Sequence, residues 1–369
     1  MKEITRCTRC IMDDSSDPTI RFDANGVCNY CTDALKEKDS VYFPNSEGER
    51  KLQALVSTLK TEGEGKEYDC IMGLSGGLDS SYLLYLGHKL GLRILGIHID
   101  DGFDTDISKR NLQNLVRASG IDYVVVAPNA EQFYALSKAY MKAGVANLAA
   151  PQDNLLFAEI YSLMRQKKIK YFLNGGNWAL ECILQRGNTH TANDLINMKD
   201  INRRFGTAKL SELKLLSAYR RVWDQFVLGI KSPRPLNYID YNRARAFAEL
   251  KDFCGFAYYG RKHLENMFTA FVQLVWFPQK FGVDKRTSHL SSMIVSEQMT
   301  REEALREYEE PVCDEALMAD YVAAIKEKLK IPGCEFDEIL AAPTHSHTEY
   351  KVDPLLVLAL KLGATNKQS

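Results

Sequence analysis

Six consecutive residues of this sequence, 75–80, have the types and order needed to bind a phosphate group. They read Ser-Gly-Gly-Leu-Asp-Ser, and two adjacent glycines let the main chain approach a phosphate closely. Ser75 and Ser80 add hydroxyl donors. Asp79 would repel a bare phosphate, so we expect it to hold Mg²⁺, an ion that bridges phosphate oxygens. The motif lacks the Gly-Lys-Ser/Thr ending of a Walker loop. The alternative interpretation is a glycine-rich turn that only packs.

Four of the nine cysteines form two closely spaced pairs near the N-terminus, Cys7 with Cys10 and Cys28 with Cys31. This spacing predicts a structural zinc site. Four thiolates complete a closed tetrahedron and leave no position for a substrate, so the metal's role would be to fold a segment too small to fold alone. The alternative is a set of free or redox-active thiols.

Strands and helices alternate around the phosphate loop. The predicted strands are 69–74, 94–99, 123–127 and 170–173, and the predicted helices between and after the loops are 80–90, 108–119 and 154–167. This alternation predicts an α/β fold with a doubly wound parallel sheet. The loop then joins the first strand to the first helix, where unpaired N–H groups and the helix dipole attract anions. Such sheets bind ligands at the carboxyl ends of their strands.

Composition argues against some classes of protein. The formal net charge is −1 and the isoelectric point is about 6.7, a balance that gives no general attraction to nucleic acid or to an anionic membrane. The sequence has no apolar run of the roughly 20 residues that a membrane span needs, and its polar first residues are unlike a signal peptide. We therefore expect a cytoplasmic protein with reduced thiols and with neither nucleic acid nor membrane as a partner.

The phosphate loop is identified as the loop of the ATP pyrophosphatase, or PP-loop, superfamily. Its members share a doubly wound fold and split ATP between the α and β phosphates. The loop holds pyrophosphate while AMP passes to an oxygen of the substrate. The resemblance implies that Ser75, Gly76, Gly77, Asp79 and Ser80 bind ATP together with Mg²⁺, and that Asp79 is catalytic.

The second strand ends in a segment that resembles the lining of the adenosine pocket in that superfamily. It reads His-Ile-Asp-Asp-Gly over residues 98–102, and the resemblance implies that His98 and Asp100 bind ATP. Asp101 departs from the pattern, which has asparagine there. A histidine at the position of His98 is also compatible with a core residue.

Three further stretches narrow the resemblance. They are 151–154 (Pro-Gln-Asp-Asn), 174–181 (Asn-Gly-Gly-Asn-Trp-Ala-Leu-Glu) and the residues from 280 to 304. With the cysteine pairs, they make the chain, from Cys7 to Ala304, resemble the N-acetyl sugar amidotransferases of the WbpG and PseA type. Members of that family convert an acetamido group on a nucleotide-linked or related sugar into an acetamidino group, in the synthesis of surface polysaccharides and nonulosonic acids.

The resemblance implies a mechanism and a set of site residues. Adenylylation of the amide oxygen gives an O-adenylyl imidate, which ammonia then attacks. Lys280, Lys285 and Arg286 would neutralise charge on the transferring group as catalytic cations. The expected substrate-binding residues are Asn154, Asn177, Glu181 and His263. The alternatives are a solvated basic helix end for the three cations, capping or turn roles for Asn177 and Glu181, and a surface helix for His263.

The expected organisation has three parts. Residues 1–34 form the four-cysteine zinc-binding module, and residues 35–232 form the PP-loop domain, which begins with a charged helical linker up to residue 68. Pro233 and Pro235 mark the start of a mostly helical C-terminal region, 233–369, with helices predicted at 241–250, 263–275 and 300–308. We expect that region to contact the substrate or a partner.

The proposed reaction needs a source of ammonia, and two other functions are also compatible with the motifs. Because the sequence shows no glutaminase-type Cys and His arrangement, we expect a separate glutaminase, with a cyclase-like barrel partner that channels ammonia. One alternative is a tRNA thiolation enzyme, which also combines a zinc module with such a loop but usually needs reactive cysteines in its catalytic domain. The other is a non-catalytic binding protein with a degenerate loop.

Overall fold

A computed structural model of the chain describes residues 4–260 and 264–361. Its central sheet has four parallel strands in the order β3-β2-β1-β4. Their bounds are β1 Cys70–Gly73, β2 Ile94–Ile99, β3 Asp122–Val126 and β4 Phe172–Leu173. All four strands predicted from the sequence are therefore present, and the last is shortened to two residues.

The strand order reverses at β1. The chain moves from β1 outward to β2 and β3, then returns to place β4 on the other side of β1. In an open parallel sheet, this reversal leaves a crevice at the carboxyl ends of the strands. A further extended segment, 231–233, runs beside β4: Phe172 N–H donates to the Lys231 carbonyl at 2.9 Å, and Asn174 N–H donates to the Pro233 carbonyl at 3.0 Å.

Among the described residues, six helices precede β4. They are α1 Asn29–Val41, α2 Ser46–Glu62, α3 Leu78–Lys89, α4 Asp106–Ser119, α5 Ala130–Lys142 and α6 Ala150–Lys167. The stretch predicted as a linker is folded into the core, because α2 buries Leu52, Val56 and Leu59. Gly120 ends α4 in the left-handed conformation, as its position after the apolar pattern predicts.

The rest of the described chain is helical. Its helices are α7 Trp178–Glu181, α8 Leu195–Phe205, α9 Ala218–Phe226, α10 Arg243–Cys254, α11 Met267–Phe271, α12 Arg286–Val295, α13 Arg301–Glu309, α14 Glu315–Lys328, α15 Gly333–Ala341 and α16 Pro354–Lys361. The helix predicted at 263–275 begins instead at Met267, because Asn266 caps it, and it continues as a π-helix, Val272–Phe281. Among the described residues, no helix has the length and apolarity to cross a membrane.

Alternating residues of the strands face different layers. In β1, Cys70 and Met72 face the core built with α3 and α4, whereas Ile71 joins the core formed with α6. Helices thus cover both faces of the sheet, which confirms the doubly wound fold. The first core also includes Leu236 and Leu250, from beyond the predicted boundary at 233. A separate core joins α5 to the helices after residue 267.

Candidate functional site

A cavity of about 430 Å³ lies at the carboxyl ends of β1, β2 and β4. One wall is the phosphate loop with the start of α3. The opposite walls come from α10, α12 and the segment before α11, and the 174–176 turn after β4 closes one end. The cavity therefore occupies the crevice that the strand order creates.

The phosphate loop keeps its shape through contacts among its own residues. The Ser75 hydroxyl accepts the N–H of Gly77 at 3.2 Å and lies 3.1 Å from the Ser80 hydroxyl. Gly76 has φ of +75°, and a Cβ at that position would lie 2.5 Å from the Ser108 carbonyl oxygen. Glycine is thus required at 76, both for the backbone conformation and for close packing on α4.

The first turn of α3 faces a pair of tyrosines. The N-cap residue of α3, Gly77, supplies no side-chain cap, and the N–H of Leu78 donates to the Tyr259 hydroxyl at 2.8 Å. The Tyr241 hydroxyl donates to the Asp79 carboxylate at 2.6 Å. Burial raises the pKa of both tyrosines well above the ordinary value, so each remains a neutral phenol. The helix start that the sequence predicts as an anion site is therefore framed by hydroxyl groups.

Glu265 lies against the phosphate loop although no local pattern predicts it. A Cβ at Gly77 would lie 2.7 Å from a Glu265 carboxylate oxygen, so this glycine also makes room for an acid. Asp79 and Glu265 both line the cavity beside the loop. Carboxylate oxygens are hard donors of the kind that Mg²⁺ prefers, so this donor set fits the Mg²⁺ expected with ATP.

His98 lines the cavity and also ties two strand ends together. Its Nδ1 lies 2.7 Å from the Leu74 carbonyl oxygen and its Nε2 lies 2.8 Å from the Asp104 carboxylate. Both partners are acceptors, so the ring satisfies them fully when both nitrogens carry protons. Burial acts to lower the pKa of His98, but the Asp104 carboxylate and the Leu74 carbonyl outweigh it, and the pKa is raised.

Asp101, rather than Asp100, faces the cavity. Asp100 is exposed, does not line the cavity and closes a short turn by accepting the N–H of Gly102 at 3.1 Å. Asp101 is buried and accepts from Phe103 N–H at 2.9 Å and from the Gln152 amide. Burial raises the pKa of Asp101 to about 6. Its carboxylate thus serves as an acceptor in the position where the family pattern has asparagine.

Of the three predicted cations, only Arg286 lines the cavity. Its guanidinium pairs with Asp284 at 2.7 Å and 3.0 Å and donates to the Glu310 carbonyl at 2.8 Å. The Lys285 ammonium lies 4.3 Å from the centre of the Phe277 ring, and burial lowers its pKa to about 8. Lys285 is therefore a half-buried lysine next to the cavity wall rather than part of it.

The structure does not bring Lys280 to the cavity. Its ammonium donates to the carbonyl oxygens of Ile339 at 2.6 Å and Ala342 at 2.7 Å. These carbonyls belong to the C-terminal end of α15, where a cation is favoured by the helix dipole. The contact therefore supports packing of the C-terminal helices.

Glu181 and Asn177 belong to the short segment after β4, where Asn177 caps α7 and Glu181 is its last residue. Glu181 lines the cavity, and its carboxylate accepts the N–H of Asn177 at 3.3 Å. The Asn177 side chain caps α7 by accepting the N–H of Leu180 at 2.9 Å and donates to the Gly175 carbonyl at 3.1 Å. Glu181 is thus placed to meet a ligand, while Asn177 shapes the turn that presents it.

Asn154 and His263 are the remaining predicted substrate residues. Asn154 is fully buried, outside the cavity lining, and donates to the carbonyl oxygens of Ala192 at 2.6 Å and Leu216 at 2.7 Å. It fastens two loops to α6. His263 lies outside the described residues.

The four cysteines of the N-terminal pairs converge on one point. Their sulfur atoms all lie within 4.8 Å of one another, and all four residues are fully buried. The Cys10 and Cys28 sulfurs are 3.8 Å apart, and a tetrahedron with Zn–S bonds of about 2.3 Å has edges of about 3.8 Å. The main-chain N–H of Cys28 also donates to the Cys7 sulfur at 3.2 Å. This donor set fits a structural zinc ion.

The four-cysteine module packs directly on α12. The N–H of Ile11 donates to the Ser291 hydroxyl at 3.2 Å, and Arg301 donates to the carbonyl oxygens of Cys7 and Cys10 at 3.1 Å each. Helix α12 carries Arg286 and other residues of the cavity wall. The metal module therefore supports one wall of the cavity from behind.

The first strand of the parallel sheet runs through a Ser-Gly-Gly-Leu-Asp-Ser loop into a helix, which is the arrangement that the resemblance to the PP-loop superfamily predicts. By sequence comparison, residues 265–363 match the family described as LPS biosynthesis protein WbpG-like, C-terminal domain. The chain thus carries a WbpG-like C-terminal domain, which confirms the resemblance drawn from the sequence. No curated protein sequence matches the chain.

Two solved structures show a weaker likeness. NMN synthetase from Francisella tularensis has 14% identity and a TM-score of 0.29, and an NH3-dependent NAD synthetase from Campylobacter jejuni has 12% identity and a TM-score of 0.31. Each likeness covers 56% of this chain and 93% of the other. With identities and TM-scores this low, neither bears on what this chain binds.

Proposed function

We propose that this protein is an ATP-dependent amidotransferase that converts an acetamido group of a nucleotide-linked or related sugar into an acetamidino group, releasing AMP and pyrophosphate. The observation that carries the proposal is the position of the phosphate loop, which faces a cavity whose other wall belongs partly to the WbpG-like domain. A loop for ATP and a domain typical of surface-polysaccharide synthesis thus meet at one site.

The loop residues suit the outer phosphates of ATP. The start of α3 offers a positive dipole end, Gly76 and Gly77 add no side chains of their own to the loop, and the Ser75 and Ser80 hydroxyls can donate to a phosphate. Asp79 and Glu265 would hold Mg²⁺, which when bound neutralises phosphate charge. The pyrophosphate would then remain in the loop while the α-phosphate faces the cavity.

The chemistry proceeds in two steps. The amide oxygen attacks the α-phosphorus, the bond from phosphorus to the bridging oxygen breaks, and pyrophosphate leaves. The amide nitrogen loses its proton, which gives an O-adenylyl imidate. Ammonia attacks the imidate carbon, AMP leaves with the original amide oxygen, and loss of a proton gives the amidine. The protein's contribution is to hold the reacting groups together and to stabilise the charge that develops.

The cavity wall supplies groups for both steps. Arg286 is held by Asp284 at the cavity wall, so its guanidinium is positioned before a ligand binds. Glu181 faces the cavity from the β4 turn, where a carboxylate can accept a proton from an entering ammonium ion. Lys285 would support the field of Arg286 from behind the wall. We also propose that a separate glutaminase, acting through a cyclase-like barrel partner, supplies the ammonia.

The test uses purified protein with ATP, Mg²⁺, ammonium chloride and a panel of acetamido sugars, including UDP-N-acetylglucosamine and N-acetylneuraminic acid. Mass spectrometry should show a product lighter by about one mass unit, because NH replaces O, together with AMP. Asp79→Asn should slow the formation of both by roughly 100- to 1000-fold. If wild-type protein makes neither AMP nor an amidine from any sugar in the panel, the proposal is wrong.

Thiolation of tRNA is not favoured by the site. Among the described residues that line the cavity, there is no cysteine. Cys182, on the turn after α7, directs its thiol towards the Ser292 carbonyl at 3.7 Å. Co-purification of tRNA with the protein would reopen this alternative.

A further inference from the structure

Arg234 stands at the sheet edge where the cavity lies. The segment 231–233 runs beside β4 and is fastened there by the bond from Asn174 N–H to the Pro233 carbonyl, 3.0 Å long. Arg234 follows directly, and its Nε lies 3.6 Å from the point where a Cβ at Gly176 would be. Gly176 lines the cavity. The absence of a side chain at 176 therefore leaves the Arg234 guanidinium next to the cavity end.

A second arginine, Arg221, approaches the same end from α9. Its guanidinium carbon lies 5.4 Å from the centre of the Phe157 ring, and Phe157 is a cavity residue. The Nε atom of Arg221 is buried and has no hydrogen-bond partner. Its neighbour in sequence, Arg220, is different: its guanidinium pairs with the buried Asp224 at 3.2 Å.

The two arginines lack the partners that such groups normally have. Within residues 4–260 and 264–361, neither guanidinium makes an ion pair or a hydrogen bond, whereas Arg286 and Arg165 each pair with an aspartate. Burial lowers the pKa of Arg234, repulsion from Arg221 adds to that effect, and Glu181 opposes it. Two half-buried positive charges that repel each other are costly unless an anion joins them.

The geometry also connects these arginines to the phosphate loop. A Cβ at Gly175 would lie 3.3 Å from the main-chain N of Ser80, in the first turn of α3. Gly175 therefore touches the ATP side of the cavity, and the next residue, Gly176, adjoins Arg234. A ligand held by the arginines would have its body in the cavity and its anionic group at the β4 end, beyond Gly176.

Resting on the proposed function, we propose that Arg221 and Arg234 bind the anionic group of the sugar substrate, at a site separate from the one that holds the phosphates of ATP. Guanidinium groups bind phosphates and carboxylates through paired hydrogen bonds, so the substrate class is an acetamido sugar that carries a diphosphate or a carboxylate. A neutral acetamido sugar lacks this contact.

The test is calorimetric titration of the full-length protein with four probes, none of which needs to react. The probes are UDP-N-acetylglucosamine, N-acetylneuraminic acid, neutral N-acetylglucosamine and ATP with Mg²⁺. Arg234→Ala and Arg221→Ala should each lower the affinity for the acidic sugar by roughly 10- to 100-fold, the effect of losing a charge-assisted hydrogen bond. Neither substitution should change the affinity for ATP more than twofold. The control for charge is Arg117→Ala, at an exposed position in α4.

Each outcome decides a point. If the arginine variants lose affinity only for UDP-N-acetylglucosamine, the bound group is the diphosphate. If they lose affinity only for N-acetylneuraminic acid, the bound group is the carboxylate. The inference is overturned if neither acidic sugar binds wild-type protein, or if the variants bind the acidic sugar as tightly as wild type does. It is also overturned if the variants lose as much affinity for ATP as for the acidic sugar. Arg234→Lys keeps the charge and loses the paired hydrogen-bond geometry, so its affinity for the acidic sugar should lie between those of wild type and Arg234→Ala. Thermal melts of all variants report whether they are folded.

The result is separable from the fate of the proposed function. If the acidic sugar binds through the arginines but no amidine forms with ATP and ammonium, the amidotransferase proposal fails and the anion site stands. If amidine forms and the KM for the acidic sugar is the same in Arg234→Ala as in wild type, the anion site fails and the amidotransferase proposal stands.

Discussion

The four-cysteine module and the phosphate loop are both short motifs built from a few residues, yet they have opposite designs. In the module, four sulfurs point inward and are fully buried. In the loop, the polar groups border a cavity of about 430 Å³. A donor set that closes on itself supplies folding energy, whereas one that borders a cavity remains available for a ligand. The comparison therefore assigns a role in stability to the four-cysteine module and a role in ligand binding to the phosphate loop.

The two regions also meet, because the module packs on α12 and α12 forms a cavity wall. We therefore expect damage to the module to reach the binding site through the fold. Damage to the loop should affect binding and leave the module intact. The predictions below test this asymmetry.

The largest effect is expected for Cys28→Ser. A structural zinc ion contributes on the order of 10 kcal/mol to the folding of a small metal module, so loss of one thiolate should release the metal and unfold residues 1–34. Zinc content by mass spectrometry should fall from one per chain to near zero, with aggregation or a much lower Tm. Cys334→Ser, at an exposed thiol, should keep both values. An unchanged melt in zinc-free Cys28→Ser would refute a structural role for the metal.

The next effect in size is expected for Gly76→Ala. The added Cβ would lie 2.5 Å from a main-chain oxygen, at a residue with φ of +75°, so the loop must deform and ATP binding should be lost. Gly229→Ala is the matched control, because Gly229 has φ of +69° and open space around it. It should lose only about 1 kcal/mol of stability and bind ATP normally. Equal ATP affinity in the two variants would contradict the assigned role of the loop.

A smaller effect is expected for Asp79→Asn. If the Asp79 carboxylate holds Mg²⁺ against the phosphates, its neutralisation should lower the rate of AMP formation by roughly 100- to 1000-fold, the size typical of losing one electrostatic contact to a transition state. The Tm should change little. Asp320→Asn, at an exposed position in α14, serves as the control for charge. Full activity in Asp79→Asn would remove this residue from the mechanism.

The smallest effect is a pH dependence at Asp101. Its pKa rises from 3.8 to about 6 in the folded protein because it is buried, so folding favours the protonated acid. The stability that this acid contributes is complete below about pH 4 and is lost as the pH rises through about 6, on the order of 3 kcal/mol. Asp101→Asn keeps an acceptor oxygen and should avoid that loss.

Thermal melts of the Asp101→Asn variant and of wild type should therefore coincide near pH 4 and diverge by pH 8, with the variant more stable. Parallel melting curves across that range would show that Asp101 is already charged at no cost in the folded state.

Local sequence carries both motifs because each is set by neighbouring residues. The strand, loop and helix around residues 75–80 follow from apolar runs and adjacent glycines, and the cysteine spacing predicts the four sulfurs that lie within 4.8 Å of one another. Strand ends and helix starts differ from the predicted ones by a few residues, where caps such as Asn266 decide the boundary.

Residues contributed from far along the chain could not be placed in the same way. Tyr259 and Glu265 contact the phosphate loop from about 180 residues away in the sequence. No spacing pattern in the sequence indicates these contacts. Conversely, Lys280 and Asn154 lie in stretches typical of the family, but packing directs their side chains to main-chain carbonyls. Which polar residue faces a cavity is decided by tertiary contacts, and a single sequence does not display them.

The most direct measurement of the central claim is phosphorus NMR of ATP turnover by the wild-type protein, with ammonium and an acidic acetamido sugar present. Cleavage between the α and β phosphates predicts AMP and pyrophosphate in equal amounts, formed only when the sugar is included. Formation of ADP and inorganic phosphate instead would contradict the proposed role of the loop and the mechanism built on it.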